Sequence, residues 1–70
     1  DPATVVRLAL LDRSDRGFRV RSSLPVLTGT MGRVLRLLPS GETVDRSFQV
    51  AWIRSRNGAW ELGLEELEAV

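Results

Sequence analysis

The sequence predicts an all-β domain, a small antiparallel barrel made of five short strands. Glycine and proline interrupt the chain at short intervals, and the residues between them are mostly β-branched, aromatic or alternating. One Asn-Gly pair marks a tight hairpin. Short strands joined by hairpin turns favour an antiparallel sheet that curls into a barrel. Residues 1–70 are few enough to form a single domain, which we expect to belong to a larger protein because the chain begins with Asp-Pro.

The first two predicted strands flank a polar corner. Residues 4–11 are apolar apart from one arginine, as expected for a strand that is covered on both faces. Residues 18–22 read F-R-V-R-S, an alternation that predicts one buried face and one cationic face. A loop containing Pro25 and Gly29 follows this strand.

The remaining three strands are predicted at residues 31–38, 43–54 and 59–65. A Pro-Ser-Gly turn joins the third strand to the fourth, and Asn-Gly joins the fourth to the fifth. Arg33 and Arg36 have opposite parity in the third strand, so we expect either a bulge there or a strand that is exposed to solvent on both sides. After the fifth strand, the run E-E-L-E-A predicts a short helical turn or the start of a C-terminal helix.

The predicted core consists mainly of one face of the fourth strand and one face of the fifth strand. Alternation places both tryptophans in phase with aliphatic neighbours, which favours core packing over stacking on a nucleic-acid base. The residues predicted to share the buried faces of strands four and five are Val44, Phe48, Val50, Trp52, Trp60, Leu62 and Leu64. The nearby glutamates at 61, 65, 66 and 68 are interpreted as a solvated acidic end, not a metal site.

Composition argues against several functional classes. The chain contains no histidine and no cysteine, so it lacks the most usual general base, thiolate nucleophiles and the commonest metal ligands. It also has no glycine-rich phosphate loop, and we therefore expect neither an enzyme nor a metal protein. No apolar run is long enough to cross a membrane as a helix. A cytoplasmic domain without membrane insertion is the expectation.

Arginine is the only basic residue type in this chain. Ten arginines nearly balance nine acidic residues, and the formal net charge is +1. This balance argues against a broad nucleic-acid-binding surface. Planar guanidinium groups suit phosphates and flat bases, but arginine-rich codon usage would produce the same composition. Only the position of particular arginines therefore carries functional information.

The most informative motif is D-x-S-x-x-G, formed by Asp12, Ser14 and Gly17. Arg13 and Arg16 occupy two of its variable positions, and together these residues make a polar corner suited to an anionic ligand. The Asp12 carboxylate can accept hydrogen bonds from N1–H and the exocyclic amine of guanine, a pair of donors that adenine lacks. The alternative is that Asp12 and Ser14 only cap a turn through their side chains.

Together with the later V-A-W-I-R and E-L-G-L segments, this motif resembles the PilZ domain over nearly the whole chain. The resemblance implies a split barrel that binds the bacterial second messenger cyclic di-GMP. It implies that Asp12 and Ser14 contact the guanine edge and the phosphate region of the ligand. It further implies that Gly17 allows the turn and the close approach of the nucleotide.

A second PilZ motif, R-x-x-x-R, is absent from this sequence. In the family it lies upstream of D-x-S-x-x-G, where its arginines grip phosphates and stack on guanine. Each charge-assisted contact contributes about 1.5 to 3 kcal/mol, so losing two weakens binding by a factor of roughly a hundred or more. Arg13 and Arg16 either compensate in part or are solvated loop charges. The alternative function is a PilZ-like protein-interaction module that binds no nucleotide.

The resemblance also implies a partner. Only eleven residues precede Asp12, whereas the family places a further strand and the arginine segment before the motif. A barrel without that strand would leave an unpaired edge, which is a template for pairing with another chain. We expect residues outside this sequence, a neighbouring domain or a second copy to cover the edge. In the expected mechanism, cyclic di-GMP orders an upstream arginine arm against residues 12–17.

Overall fold

Five antiparallel strands form a single sheet. The computed structural model describes residues 6–67 of the chain. The strands are β1 (Ala9–Ser14), β2 (Gly17–Ser22), β3 (Met31–Arg36), β4 (Thr43–Arg56) and β5 (Ala59–Glu66). Their order across the sheet is β1-β2-β5-β4-β3, so β5 lies at the centre and β1 and β3 lie at the edges. The prediction of an all-β antiparallel fold is confirmed.

The predicted closure into a barrel is wrong. Within residues 6–67, β1 and β3 form no ladder with each other, and the sheet remains open. The connection from β2 to β3 is a crossover instead of a hairpin, because β5 occupies the second edge of β2. The amide of Gly29 donates to the carbonyl of Val50 (2.8 Å), which directs the end of this connection to β4. The two ends of the sheet in the described residues are therefore β1 and β3, which are separated by the other three strands.

The predicted turns are confirmed at the level of backbone angles. Asn57 and Gly58 have φ values of 52° and 78°, as the type I′ hairpin requires. In the β3–β4 hairpin, Gly41 has a φ of 79° and its amide donates to the carbonyl of Leu37 (2.7 Å). The pairing of β3 with β4 is irregular just before Arg36, so the bulge expected from its arginines is also present.

The first strand differs most from its prediction. It was expected at residues 4–11, covered on both faces, whereas β1 begins at Ala9, continues through Ser14 and is exposed along its full length. Residues 4 and 5 lie outside the described residues. The reason is that β1 is an edge strand of a single sheet, with no second layer of structure to cover it. Its side chains at Leu10 and Leu11 are accordingly about half exposed.

The core lies on one face of the three central strands. The rings of Phe18 and Phe48 are 5.2 Å apart between centroids, in a tilted arrangement that aromatic pairs favour. The buried hydrophobic residues are Phe18, Val20, Phe48, Val50 and Leu62. Ser22 is also buried on the predicted face of β2, and its hydroxyl donates to the carbonyl of Leu24 (2.7 Å). This bond satisfies the polar atom in the apolar surroundings.

The C-terminal end of the described chain is extended instead of helical. Glu65 and Glu66 belong to β5, which contradicts the predicted helical turn at these residues. The amide of Leu67 donates to the carbonyl of Ser47 (2.9 Å), so pairing with β4 continues beyond the strand. The rest of the predicted turn, from residue 68, lies outside the described residues. Within residues 6–67, no helix has the length and apolar character needed to cross a membrane.

Candidate functional site

The D-x-S-x-x-G motif forms the end of the β1–β2 hairpin. Asp12, Arg13 and Ser14 are the last residues of β1, and only Asp15 and Arg16 form the turn. The Asp12 carboxylate accepts a hydrogen bond from the amide of Arg13 (2.8 Å). The Ser14 hydroxyl accepts one from the amide of Arg16 (3.4 Å). Both side chains therefore make the local backbone bonds that the turn-capping alternative describes.

Gly17 opens β2 because there is no room for a side chain at this position. A β-carbon on Gly17 would overlap the backbone carbonyl of Leu64 in the neighbouring strand. Its φ does not lie in the positive range that favours glycine, in contrast to Gly29, Gly41 and Gly58. The glycine of the motif is thus required by the close approach of β5, and this approach brings the hairpin end against the middle of the sheet.

A concavity of about 290 Å³ lies beside this hairpin end, and we call it the corner pocket. One wall consists of the motif residues and Arg19, and the other is formed by β4 and β5. All five residues predicted as ligand-binding line this concavity. The full lining is Asp12, Arg13, Ser14, Arg16, Gly17, Phe18, Arg19, Ala51, Trp52, Gly63, Leu64 and Glu65.

Trp52 forms part of the corner pocket, and its predicted position in the core is wrong. The pairing of β4 with β5 shifts between Val50 and Trp52, which reverses the alternation of the strand. Ile53 therefore packs against the core, whereas Trp52 is 40% exposed. Its indole lies over Gly63, where a β-carbon would overlap the ring. Arg54 stacks on the same indole, with its guanidinium carbon 5.3 Å from the ring centroid.

The second tryptophan follows its prediction. Trp60 is half-buried and packs against the core cluster. The glutamates that follow it do not form one solvated end, since Glu61 is buried, with 5% of its surface exposed. Within residues 6–67, no three acidic side chains lie together in an arrangement that could hold a metal ion.

The two arginines of the motif differ in their pairing. Arg13 donates through both terminal nitrogens to the Glu42 carboxylate (3.2 Å each) and lies over the Phe18 ring. This hydrogen-bonded pair holds the pKa of Glu42 below its usual range. By contrast, Arg16 forms no ion pair with any carboxylate of the described chain. Arg16 is therefore the motif arginine that is free to meet an anion.

Arg19 is a site residue that the sequence placed on a cationic face but not in the motif. Its terminal nitrogens lie 3.9 Å from the Asp12 carboxylate and 3.5 Å from that of Glu61. The side chain of Asp12 is 65% exposed, and this weak contact leaves its outer oxygen open to other donors. The alternation of β2 indicated that Arg19 lies on the polar face of that strand. Nothing in the local sequence indicated that Trp52 and Gly63 line the same pocket.

No protein-family model matches this sequence, and comparisons with curated proteins and with solved structures find no significant match. The chemistry of the corner pocket must therefore be argued from its own residues. These residues supply a carboxylate, a hydroxyl, guanidinium groups and one exposed aromatic face. Such a set can bind a ligand that combines a flat hydrogen-bonding ring with an anionic group.

Proposed function

We propose that this chain is a cyclic di-GMP-binding regulatory domain of a bacterial signalling protein, similar to PilZ domains and cytoplasmic. One observation supports the proposal above all: the D-x-S-x-x-G residues and the Trp52 side chain, which is 40% exposed, line the same concavity of about 290 Å³. These groups come from different parts of the chain. Their convergence supports a binding site, because a turn-capping motif has no need of an aromatic partner.

Each group has a role in this proposal. The two oxygens of the Asp12 carboxylate accept from N1–H and the amine of guanine, one donor to each, and Oδ1 keeps its bond from the Arg13 amide through its second lone pair. The Trp52 indole stacks on a base in place of Arg54, and base stacking of this kind contributes about 1 to 3 kcal/mol. Arg16 meets a phosphate, since no carboxylate of residues 6–67 pairs with it. Arg13 contributes only if the ligand displaces Glu42 from its guanidinium.

The size of the pocket limits what it encloses. A volume of about 290 Å³ is at the lower end of small-molecule sites and suits one base with its phosphate. The rest of a cyclic dinucleotide would lie on the open surface beside it. We infer that an arginine arm from outside this sequence covers the exposed half, and that its ordering by the ligand is the regulatory signal.

A protein-interaction module without nucleotide binding is the second candidate. The apolar side chains of Leu24, Leu27 and Met31 are 61%, 78% and 69% exposed, and they lie close together in sequence. Exposed apolar patches commonly mark interaction surfaces. The Arg13–Glu42 pair also favours this candidate, because it occupies one of the motif arginines in the absence of ligand.

Calorimetric titration of cyclic di-GMP into this chain tests the first candidate. We expect saturable binding that the double variant Asp12→Ala, Ser14→Ala abolishes, because it removes both oxygen-bearing side chains of the motif. Asp15→Ala is the matched control, since Asp15 lies in the same turn but does not line the corner pocket. This control should bind with the affinity of the unaltered chain.

The absence of heat up to about 1 mM ligand would contradict binding by this chain alone, since it corresponds to a free energy weaker than about −4 kcal/mol. The same titration with the full-length protein then distinguishes the two candidates. Binding there would support the arginine arm. No binding in either form would favour the interaction module.

A further inference from the structure

A second concavity of about 290 Å³ lies at the other end of the sheet, near the β4–β5 turn. We call it the arginine pocket. Three guanidinium side chains line it, from Arg19 and Arg21 on β2 and Arg56 on β4. Leu11 and Trp60 add apolar surface to the same walls. The pocket shares only Arg19 with the corner pocket, and the proposed binding of cyclic di-GMP does not use it.

Glu61 holds Arg19 and Arg56 of this pocket, together with the neighbouring Arg54, in place. Strand pairing sets Glu61 opposite Arg21 on one side and Arg54 on the other. The carboxylate accepts hydrogen bonds from Nε (2.9 Å) and Nη2 of Arg54. Nitrogens of Arg19 and Arg56 lie 3.5 and 3.8 Å from its oxygens. Glu61 itself lines the arginine pocket, but its side chain is buried and its carboxylate is surrounded by these donors, so it orients the guanidinium groups of Arg19, Arg54 and Arg56.

Positive charge exceeds negative charge in this cluster. Four arginines, at 19, 21, 54 and 56, surround two acidic side chains, Glu61 and Asp12. Arg21 is exposed and forms no ion pair with a carboxylate in the described part of the chain. Since the whole chain carries a formal charge of only +1, the excess is concentrated at this one place. Such a concentration attracts anions.

We propose that the arginine pocket binds the phosphate group of a small phosphorylated ligand that also has a flat or apolar part. Arg21 and Arg56 contact the phosphate, since guanidinium groups match its oxygens with paired donors. Leu11 and Trp60 contact the apolar part. Glu61 is a positioning residue, because it acts on the phosphate through Arg56, whose guanidinium nitrogen lies 3.8 Å from its carboxylate.

A small ligand fits this surface better than a nucleic-acid strand does. The cationic groups converge on one bounded concavity instead of following a groove along the sheet. Strands of nucleic acid are bound by extended positive surfaces with several stacking aromatic residues, whereas this pocket is lined by one aromatic side chain. The low net charge of the chain supports the same choice.

Nitrogen-15 NMR titration at low ionic strength, with phenyl phosphate and inorganic phosphate as probes, tests the proposal. We expect shifts at the Trp60 indole N–H and at the Nε–H groups of Arg21 and Arg56. Phenyl phosphate should bind more tightly than inorganic phosphate, because only phenyl phosphate contacts the apolar wall. Arg21→Gln and Arg56→Gln should each lower its affinity by about tenfold, the loss of one charge-assisted contact.

Arg33→Gln is the matched control, because Arg33 is an exposed arginine that pairs with Asp45 outside the arginine pocket. Its affinity for phenyl phosphate should be unchanged. An equal loss with Arg33→Gln, or no loss with Arg21→Gln, would overturn the proposal. The proposal would also be overturned if a thymidine oligonucleotide bound in a way that depends on Arg21 and Arg56 while phenyl phosphate did not bind. Ser14→Ala alters only the corner pocket, so phosphate binding that survives it is independent of cyclic di-GMP binding.

Discussion

Glu61 shows how one side chain can organise a surface. Alternation along β5 predicts that it faces away from the core, and the sequence indicates a solvated acid there. Instead it is buried beneath arginines from the two neighbouring strands. The hydrogen bond from Arg54 is the main cause of a lowered pKa at Glu61; burial opposes this effect, and the charges of Arg54, Arg19 and Arg56 add to it.

This lowered pKa predicts a pH dependence of stability. A carboxyl group whose pKa is lower in the folded than in the unfolded chain stabilises the fold above its unfolded pKa, about 4.3 for glutamate. The contribution disappears as the pH falls through the lower folded-state value. We therefore expect the thermal midpoint of the chain to drop in acid below about pH 4.3, and Glu61→Gln to lose that part of the dependence while being less stable at pH 7.

Thermal unfolding followed by circular dichroism between neutral and acidic pH measures this effect. Asp15→Asn is the control, because Asp15 is exposed and forms no ion pair within the described chain. Its pH profile should match that of the unaltered chain. Parallel profiles for Glu61→Gln and the unaltered chain would show that the arginines around Glu61 do not stabilise the fold.

At the level of elements, the irregularity in β4 decides which residues reach the core. The sequence alternates without interruption through Val50 and Trp52, so a regular strand would bury both. The shift in pairing at Ala51 exposes Trp52 and turns Ile53 towards the core. The position of this bulge depends on hydrogen bonds between β4 and β5, and local sequence does not reveal it. In β3 the opposite parity of two arginines predicted either a bulge or exposure on both sides, and the strand shows both an irregular pairing and exposed side chains on both sides.

The contact between Trp52 and Gly63 gives a cross-strand prediction. Gly63→Ala should destabilise the chain by about 1 to 3 kcal/mol, because the added methyl group overlaps the indole. Gly32→Ala is the matched control in β3, where a β-carbon would meet no atom within 4 Å. It should leave stability unchanged or raise it by up to about 1 kcal/mol.

Urea denaturation of both variants checks this expectation. In a Trp52→Ala background there is no indole for the added methyl group to overlap. Gly63→Ala should therefore lower the free energy of unfolding by less in that background than in the unaltered chain. If Gly63→Ala lowers the free energy of unfolding equally with and without the indole, Trp52 does not pack on Gly63.

At the scale of the whole molecule, residues 6–67 form a sheet with β1 and β3 at its edges and a core on three central strands. β5 is paired on both sides and carries Leu62, the most buried core residue with 1% of its surface exposed. β1 and β3 each pair on one side only. Unpaired strand edges favour association with another strand. The expectation that another domain or a second copy covers such an edge therefore remains a prediction.

Hydrogen exchange of backbone amides should follow this order of strands. We expect the slowest exchange in β5 and in the parts of β2 and β4 that pair with it, and the fastest in β1 and β3, because edge strands open without disrupting the core. Exchange measured by NMR at two protein concentrations provides the test. Protection of β1 equal to that of β5 would contradict an open edge, and its appearance only at high concentration would indicate pairing with a second copy.

Adjacent residues are enough to specify the local features of this chain. The Asn57-Gly58 turn, the apolar alternation of β2 and the turn-capping bonds of Asp12 and Ser14 each depend on neighbours in sequence, and each was predictable. The open sheet and the burial of Glu61 depend on pairing of β5 with β2, which is far from it in sequence, and the place of Trp52 in the corner pocket depends on the shifted register between β4 and β5. Such pairing is set by hydrogen bonds and packing across the sheet, and only the folded chain brings those partners together.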